Sequence, residues 1–135
     1  MKPADYETVL ALWRASEGIG LNESDARRPI ALYLKRNRNL SLVAEVNGQI
    51  VGAVLCGHDG RRGYLHHLAV ARGYRRHGIG RALVAECLAR LNAAGIPKCN
   101  IFLFATNAAG RVFWLREGWS ARKELLLLQK PTAPA

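Results

Sequence analysis

The chain has 135 residues, half of them hydrophobic, and a formal net charge of +10. That length allows one domain with a single sizeable core, and that apolar content excludes a disordered tail. The excess of Lys and Arg attracts anions, leaving nucleic acid, an anionic membrane surface and a phosphorylated ligand as partner classes. No apolar run approaches the roughly 20 residues that cross a bilayer. The opening "MKPADYETVL" lacks the charged, apolar and small-residue regions of a signal peptide. Cys56, Cys87 and Cys99 fit neither a disulfide framework nor a metal-ligand spacing, so free thiols in a reducing cytoplasm are expected.

Residues 4–16 carry Tyr6, Val9, Leu10 and Trp13 at spacings of three and four, which predicts a helix with one apolar stripe. "EGIGLNES" breaks it, with Asn22 or Ser24 as a cap for the next element. A second helix over 24–37 accommodates Pro29 only in its first turn. Its Arg27, Arg28, Lys35, Arg36 and Arg38 read as a solvated face.

"LSLVAEVNGQIVGAVLCG" holds the strongest hairpin signal. Two β-branched runs flank Asn47-Gly48, the pair that a type I′ turn demands. "HDGRRG" turns again into a third strand, "YLHHLAV", completing a meander over about 41–70. A helix follows on Ile79, Leu83, Val84, Cys87, Leu88 and Leu91 and ends at Gly95 and Pro97. "KCNIFLFAT" predicts a buried strand, "NAAGRVFWLREG" a helix capped by Asn107, and "WSARKELLLLQ" a last strand or hairpin. The strand-helix-strand unit over 64–105 should place two parallel strands side by side. The order predicts an α/β fold: a mixed central β-sheet, antiparallel meander plus parallel β-α-β unit, flanked by helices on both faces. One domain is expected over 1–130, with 131–135 as a loose tail.

The stretch "YRRHGIGRAL" sets two arginines and a histidine against Gly-x-Gly at the start of a helix. A helix N-terminus leaves backbone N–H groups unpaired and carries partial positive charge. Gly78 and Gly80 leave room for close approach, and Arg75, Arg76 and Arg81 can add charge-assisted contacts, so a pyrophosphate fits. A P-loop is excluded, because no Gly-Lys-Ser/Thr is present. A Rossmann fingerprint is excluded too, because Leu83 stands where a third glycine is required.

A strand "HLAV", a short basic loop, Arg75-x-x-Gly78-x-Gly80 and an amphipathic helix together resemble the acetyl-CoA motif of the GNAT acyltransferases. "LVAEVNGQIVGAV" resembles that family's second and third strands, and "NAAGRVFWLREGW" its later Asn-x-x-Ala segment. The resemblance implies a GNAT fold whose first strand is shortened or absent. It also implies an acetyl-CoA-dependent N-acetyltransferase acting on a primary amine by direct attack on the thioester. On this reading the backbone of Leu68, Ala69 and Val70 pairs with the pantetheine arm. Arg75, Arg76, His77, Gly78, Ile79, Gly80 and Arg81 surround the pyrophosphate, and Asn107 lies near the cofactor.

One departure concerns the tyrosine that family members use as proton donor to the leaving sulfur. Its position is held by Trp114, and an indole N–H donates a hydrogen bond but is no acid near neutral pH. For the base, strand alternation puts His66 with Tyr64, Leu68 and Val70, and His67 with Leu65 and Ala69. Some family members carry a base an even number of residues before the position of Val70, which favours His66 with Tyr64 beside it. The alternative is that both histidines only pack in the sheet. Glu45 fits the hairpin and Asp59 a turn better than catalysis. The two adjacent histidines lack a third ligand for a metal.

The expected acceptor is an amine-bearing small molecule or a protein or peptide amine. The loop "SEGIGLNES" and the second helix should line its side. No specific nucleic acid, no membrane, no metal and a monomer or homodimer are expected. Two rival readings stand: an acyl-CoA-binding module with little catalysis, prompted by Trp114, and a basic nucleic-acid-binding protein, which no recognition motif supports.

Overall fold

The computed structural model describes residues 1–133, and the chain divides into two compact units, Met1–Phe104 and Ala105–Ala135. In the first unit a short 3-10 turn, Pro3–Asp5, leads into helix α1, Tyr6–Arg14. No strand precedes α1 among the described residues. Tyr6, Val9, Leu10 and Trp13 are its buried residues, as the three-and-four spacing requires. Asn22 caps a second 3-10 turn, Glu23–Asp25, by accepting from the Ser24 N–H at 2.8 Å. Helix α2, Arg27–Arg36, then holds Pro29 in its first turn, where no intrahelical donor is missed. Arg28, Lys35, Arg36 and Arg38 are exposed. Arg27 pairs with Glu7 and lies over the Tyr6 ring at 4.9 Å.

Four strands form one sheet in the order β1 (Leu42–Val46), β2 (Gln49–His58), β3 (Gly63–Val70), β4 (Cys99–Ile101). The first three are antiparallel neighbours, and β4 runs parallel to β3. Asn47 and Gly48 both have positive φ, 51° and 78°, the signature of the expected type I′ turn. Asp59 is a turn residue, its carboxylate accepting the N–H groups of Arg61 and Arg62 at 2.8 Å each.

Helix α3, Ile79–Ala93, connects β3 to β4. Alternation along β2 serves two helical layers. Ala53 and Leu55 join Tyr6, Val9, Leu10, Trp13, Ile30 and Leu34 in one core cluster. On the other face a methyl group on Gly52 would meet Ile79 and Leu83 of α3 at 3.2 Å. Cys56 meets Cys87 of α3 there, and their thiol hydrogen bond, followed by burial, pushes the Cys56 thiol far above its ordinary range. The stripe predicted for α3 is buried at Leu83, Val84, Cys87 and Leu91, while Ile79 is half-buried and Leu88 is 37% exposed. Gly95 closes the helix at φ 82°, with Gly95 N–H bonded to Asn92 O and Ile96 N–H to Leu91 O, a Schellman pair.

Two expectations fail. The strand predicted from "KCNIFLFAT" spans only Cys99–Ile101 and is half-buried, and Phe102 and Phe104 are 57% and 58% exposed. In the second unit helix α4, Ala108–Arg116, forms with Asn107 Oδ1 accepting from Gly110 N–H at 2.9 Å. After it, no strand occurs among the described residues, and Leu125, Leu126, Leu127 and Leu128 are exposed. Four consecutive leucines lack the alternation of a half-buried strand, and a strand exists only where a ladder partner completes it. Of the expected loose tail, 134–135 lie outside the described residues.

Candidate active site

The segment between β3 and α3 is built to leave donors open. After Val70 the Ala71 N–H returns to Val51 O at 2.7 Å, and a 3-10 turn, Arg72–Tyr74, redirects the chain. Arg75 folds back, its Nε donating to Val70 O at 2.9 Å. Arg76 and Gly78 take positive φ, 65° and 79°. Gly78 is the N-cap and supplies no side-chain cap. The first helical hydrogen bond is Ala82 N–H to Gly78 O at 3.0 Å, so the N–H groups of Ile79 and Gly80 precede any intrahelical partner. Arg75, Arg76, His77 and Arg81 are exposed around this helix start. Gly78 matters through its dihedral angle: a Cβ built there would meet nothing within 4 Å.

Strand β3 corrects the expected alternation of the two histidines. Leu55 pairs with His66 and Ala53 with Ala69, so the single residue Val54 faces both His67 and Leu68. This is a β-bulge, with His67 at φ 55°. The extra residue shifts the register of faces. Tyr64 and His66 lie opposite Gly57 and Leu55, on the side of α1 and α2, and Ala69 returns to that same side. His67 turns that way as well: its ring meets Trp13 edge-on at 5.0 Å, and its Nε2 lies 2.8 Å from Asp25 Oδ1. The two histidine rings are 6.4 Å apart.

Their surroundings differ. His66 stacks with Tyr64 at 6.4 Å and with Phe102 at 6.0 Å. Its ring has no hydrogen-bond partner among the described residues. Burial, then the neighbouring His67, lower its pKa, and Asp25 opposes them. The ring is therefore neutral at pH 7 with an available lone pair. His67 is instead held by Asp25, which is 7% exposed. Spacing along the strand did not reveal Asp25. Its one local signal is the capping box with Asn22, whose N–H donates to Asp25 Oδ2 at 3.0 Å.

In the second unit, Asn107 caps α4 through its Oδ1. Trp114 is half-buried and packs edge-on against Phe113 at 5.1 Å and Trp119 at 4.9 Å. Trp13 is fully buried, the core role expected for it. Glu45 is exposed beside the hairpin. A groove of about 320 Å³ between β1 and α3, lined by Leu42, Ala44, Leu83, Glu86 and Arg90, touches the expected site only at Ile79. Among the described residues no cluster of His, Cys, Asp and Glu could hold a metal ion, and no helix is long and apolar enough to cross a membrane.

The Acetyltransferase (GNAT) family model matches residues 6–119. An acetyltransferase of Sodalis glossinidius is 33% identical over 126 residues, covering 93% of this chain and 88% of that protein. This chain belongs to the GNAT family of acetyltransferases. Solved structures agree on the fold. The PaiA N-acetyltransferase of Thermoplasma acidophilum, determined with coenzyme A, superposes with a TM-score of 0.76 at 20% identity, covering 86% of this chain and 84% of that one. An aminoglycoside acetyltransferase from an uncultured soil sample, determined with sisomicin, gives 0.71 at 16% identity, covering 98% and 93%.

Proposed function

We propose that the protein moves an acetyl group from acetyl-CoA to a primary amine by direct attack of the amine on the thioester. The observation that carries this reading is the start of α3. There, a left-handed Gly78 without a side-chain cap leaves the N–H groups of Ile79 and Gly80 open amid exposed Arg76, His77 and Arg81. Open donors and a helix dipole suit a pyrophosphate. Arg75 keeps the turn in shape through Val70 O and has its remaining guanidinium N–H groups for the ligand. The ends of Leu68, Ala69 and Val70 then serve the pantetheine arm, with a backbone N–H polarising the thioester carbonyl.

His66 is the proton acceptor in this reading, with Tyr64 stacked beside it. The need is quantitative. An amine with pKa near 10.4 is protonated at pH 7, and freeing it costs about 4.6 kcal/mol. A thiol with pKa near 8.5 leaves as thiolate at a cost of about 2 kcal/mol. The base therefore outweighs the acid, and Trp114 in place of the family's tyrosine slows the reaction without abolishing it. Asn107 caps α4 and stands at the family's cofactor-side asparagine. The domain extends over 1–130, a span supported by the family match across 6–119. The enzyme acts in the cytoplasm as a monomer or homodimer.

The acceptor is an amine-bearing small molecule or a protein or peptide amine, and the solved relative that holds sisomicin recommends aminoglycosides for the first panel. The test is thiol release from acetyl-CoA with such a panel, beside calorimetric titration of acetyl-CoA alone. Binding with amine-dependent thiol release supports the enzyme. Binding without turnover favours an acyl-CoA-binding module, the second reading that Trp114 prompts. No binding removes both.

A further inference from the structure

We propose that Asp25 is a positioning residue of the transfer reaction: through His67 it holds the bulge of β3 in place and ties that bulge to the 22–25 segment. This rests on the acetyltransferase reading. Three hydrogen bonds converge on this one residue, and a fourth holds its partner His67. Asp25 Oδ1 is 2.8 Å from His67 Nε2, and its Oδ2 accepts the Asn22 N–H at 3.0 Å. Its backbone carbonyl accepts the Tyr6 hydroxyl of α1 at 2.7 Å. The His67 carbonyl in turn accepts the Trp13 indole N–H at 3.1 Å. The bulge is thus gripped from both sides, ring and main chain.

The grip has something to hold. His67 sits at φ 55°, a conformation that a residue with a Cβ keeps only when its surroundings impose it. The extra residue of a bulge leaves backbone groups outside the ladder, and these lie two residues or fewer from Leu68 and Ala69, where the thioester carbonyl is to be polarised. A small displacement of such a donor is costly, because it must meet the oxygen on which charge develops. A carboxylate oxygen facing Nε2 makes Nε2–H the donor, which fixes the orientation of the ring. The buried pair, with side chains only 16% and 8% exposed, gains little over an apolar pair in stability alone. Orientation is what the polar pair adds. The same contact joins the 22–25 segment, on the expected acceptor side, to the strand that carries His66.

The experiment compares Asp25→Ala, His67→Leu and His67→Gln with the parent protein, all as full chains with melting temperatures measured. A glutamine amide N–H can still donate to Asp25, whereas leucine cannot. The readouts are acetyl-CoA affinity, kcat, and the infrared carbonyl stretch of bound, isotopically labelled acetyl-CoA. Asp25→Ala and His67→Leu should bind acetyl-CoA as the parent does, lose about 10- to 100-fold in kcat, and return the thioester stretch toward its value in free solution. His67→Gln should recover most of both. Parent-like kcat in a folded Asp25→Ala or His67→Leu protein overturns the proposal. So does an unmoved carbonyl stretch, or equal damage from Gln and Leu at position 67. If Asp25→Ala does not fold, the two His67 variants decide. A parent protein that neither binds acetyl-CoA nor shifts its thioester stretch removes the acetyltransferase reading itself, an outcome distinct from the loss of the Asp25 grip alone.

Discussion

Gly78 tests the pyrophosphate seat most directly, because the structure separates two ways in which a side chain there could do harm. A Cβ would have open space, with nothing within 4 Å, so steric exclusion by the protein is absent. What remains is the backbone: φ 79° and ψ 7° lie in the left-handed region. That region costs a residue with a Cβ about 1–2 kcal/mol, less for asparagine, and more where the side chain branches at Cβ. If the loop keeps its shape, stability falls by about 1 kcal/mol and the melting temperature by a few degrees. If it escapes the strain, the open N–H groups of Ile79 and Gly80 swing away from the ligand. The strain then appears as lost affinity, about 5- to 30-fold for 1–2 kcal/mol. Coenzyme A affinity should therefore fall in the order Gly, Asn, Ala, Val at position 78. Calorimetric titration at one fixed salt concentration reads it, since exposed arginines make binding salt-dependent. A Gly78→Val protein with parental affinity and parental melting temperature would refute the reasoning.

Three further outcomes are expected. His66→Ala should lower kcat about 100-fold or more while acetyl-CoA affinity holds. Because burial lowers the His66 pKa, the neutral base persists to more acid pH and is lost only as pH falls through that lowered value. The acid limb of kcat/KM should thus lie below about 6.5 in the parent and vanish in the variant, and an unaltered pH profile would return His66 to a packing role. Trp114→Tyr should raise turnover modestly, with the gain shrinking as pH rises, since thiolate departure costs only about 2 kcal/mol at pH 7. A folded variant with no gain at any pH would show that another group or water protonates the sulfur. Leu91→Ala should cost about 2–5 kcal/mol in urea unfolding, because Leu91 is 2% exposed and fills the space above Gly63. A loss under about 1 kcal/mol would mean that this layer is less tightly packed than its burial indicates.

Features that depend on near neighbours were legible in the residues themselves. Asn47-Gly48 specified its turn because only certain residues adopt two successive positive φ values. The stripes of α1 and α3 followed from helical period, and Gly95 marked where α3 stops. The open helix start at Gly78 was legible for the same reason: glycines, arginines and a following apolar period stand within a dozen residues. Family membership rested on three such local segments in order.

The tertiary structure alone decided what depends on partners far along the chain. Alternation separated His66 from His67, but a bulge arises from pairing against β2, and one added residue brought both rings to the same side. Asp25 and His67 are 42 positions apart, so no window of sequence joins them. Similarly, "KCNIFLFAT" and "ELLLLQ" have strand-like composition, yet only Cys99–Ile101 gains a ladder partner among the described residues. Side-chain period states which face a residue prefers, whereas register and pairing are set by hydrogen bonds between segments that meet only in the folded chain.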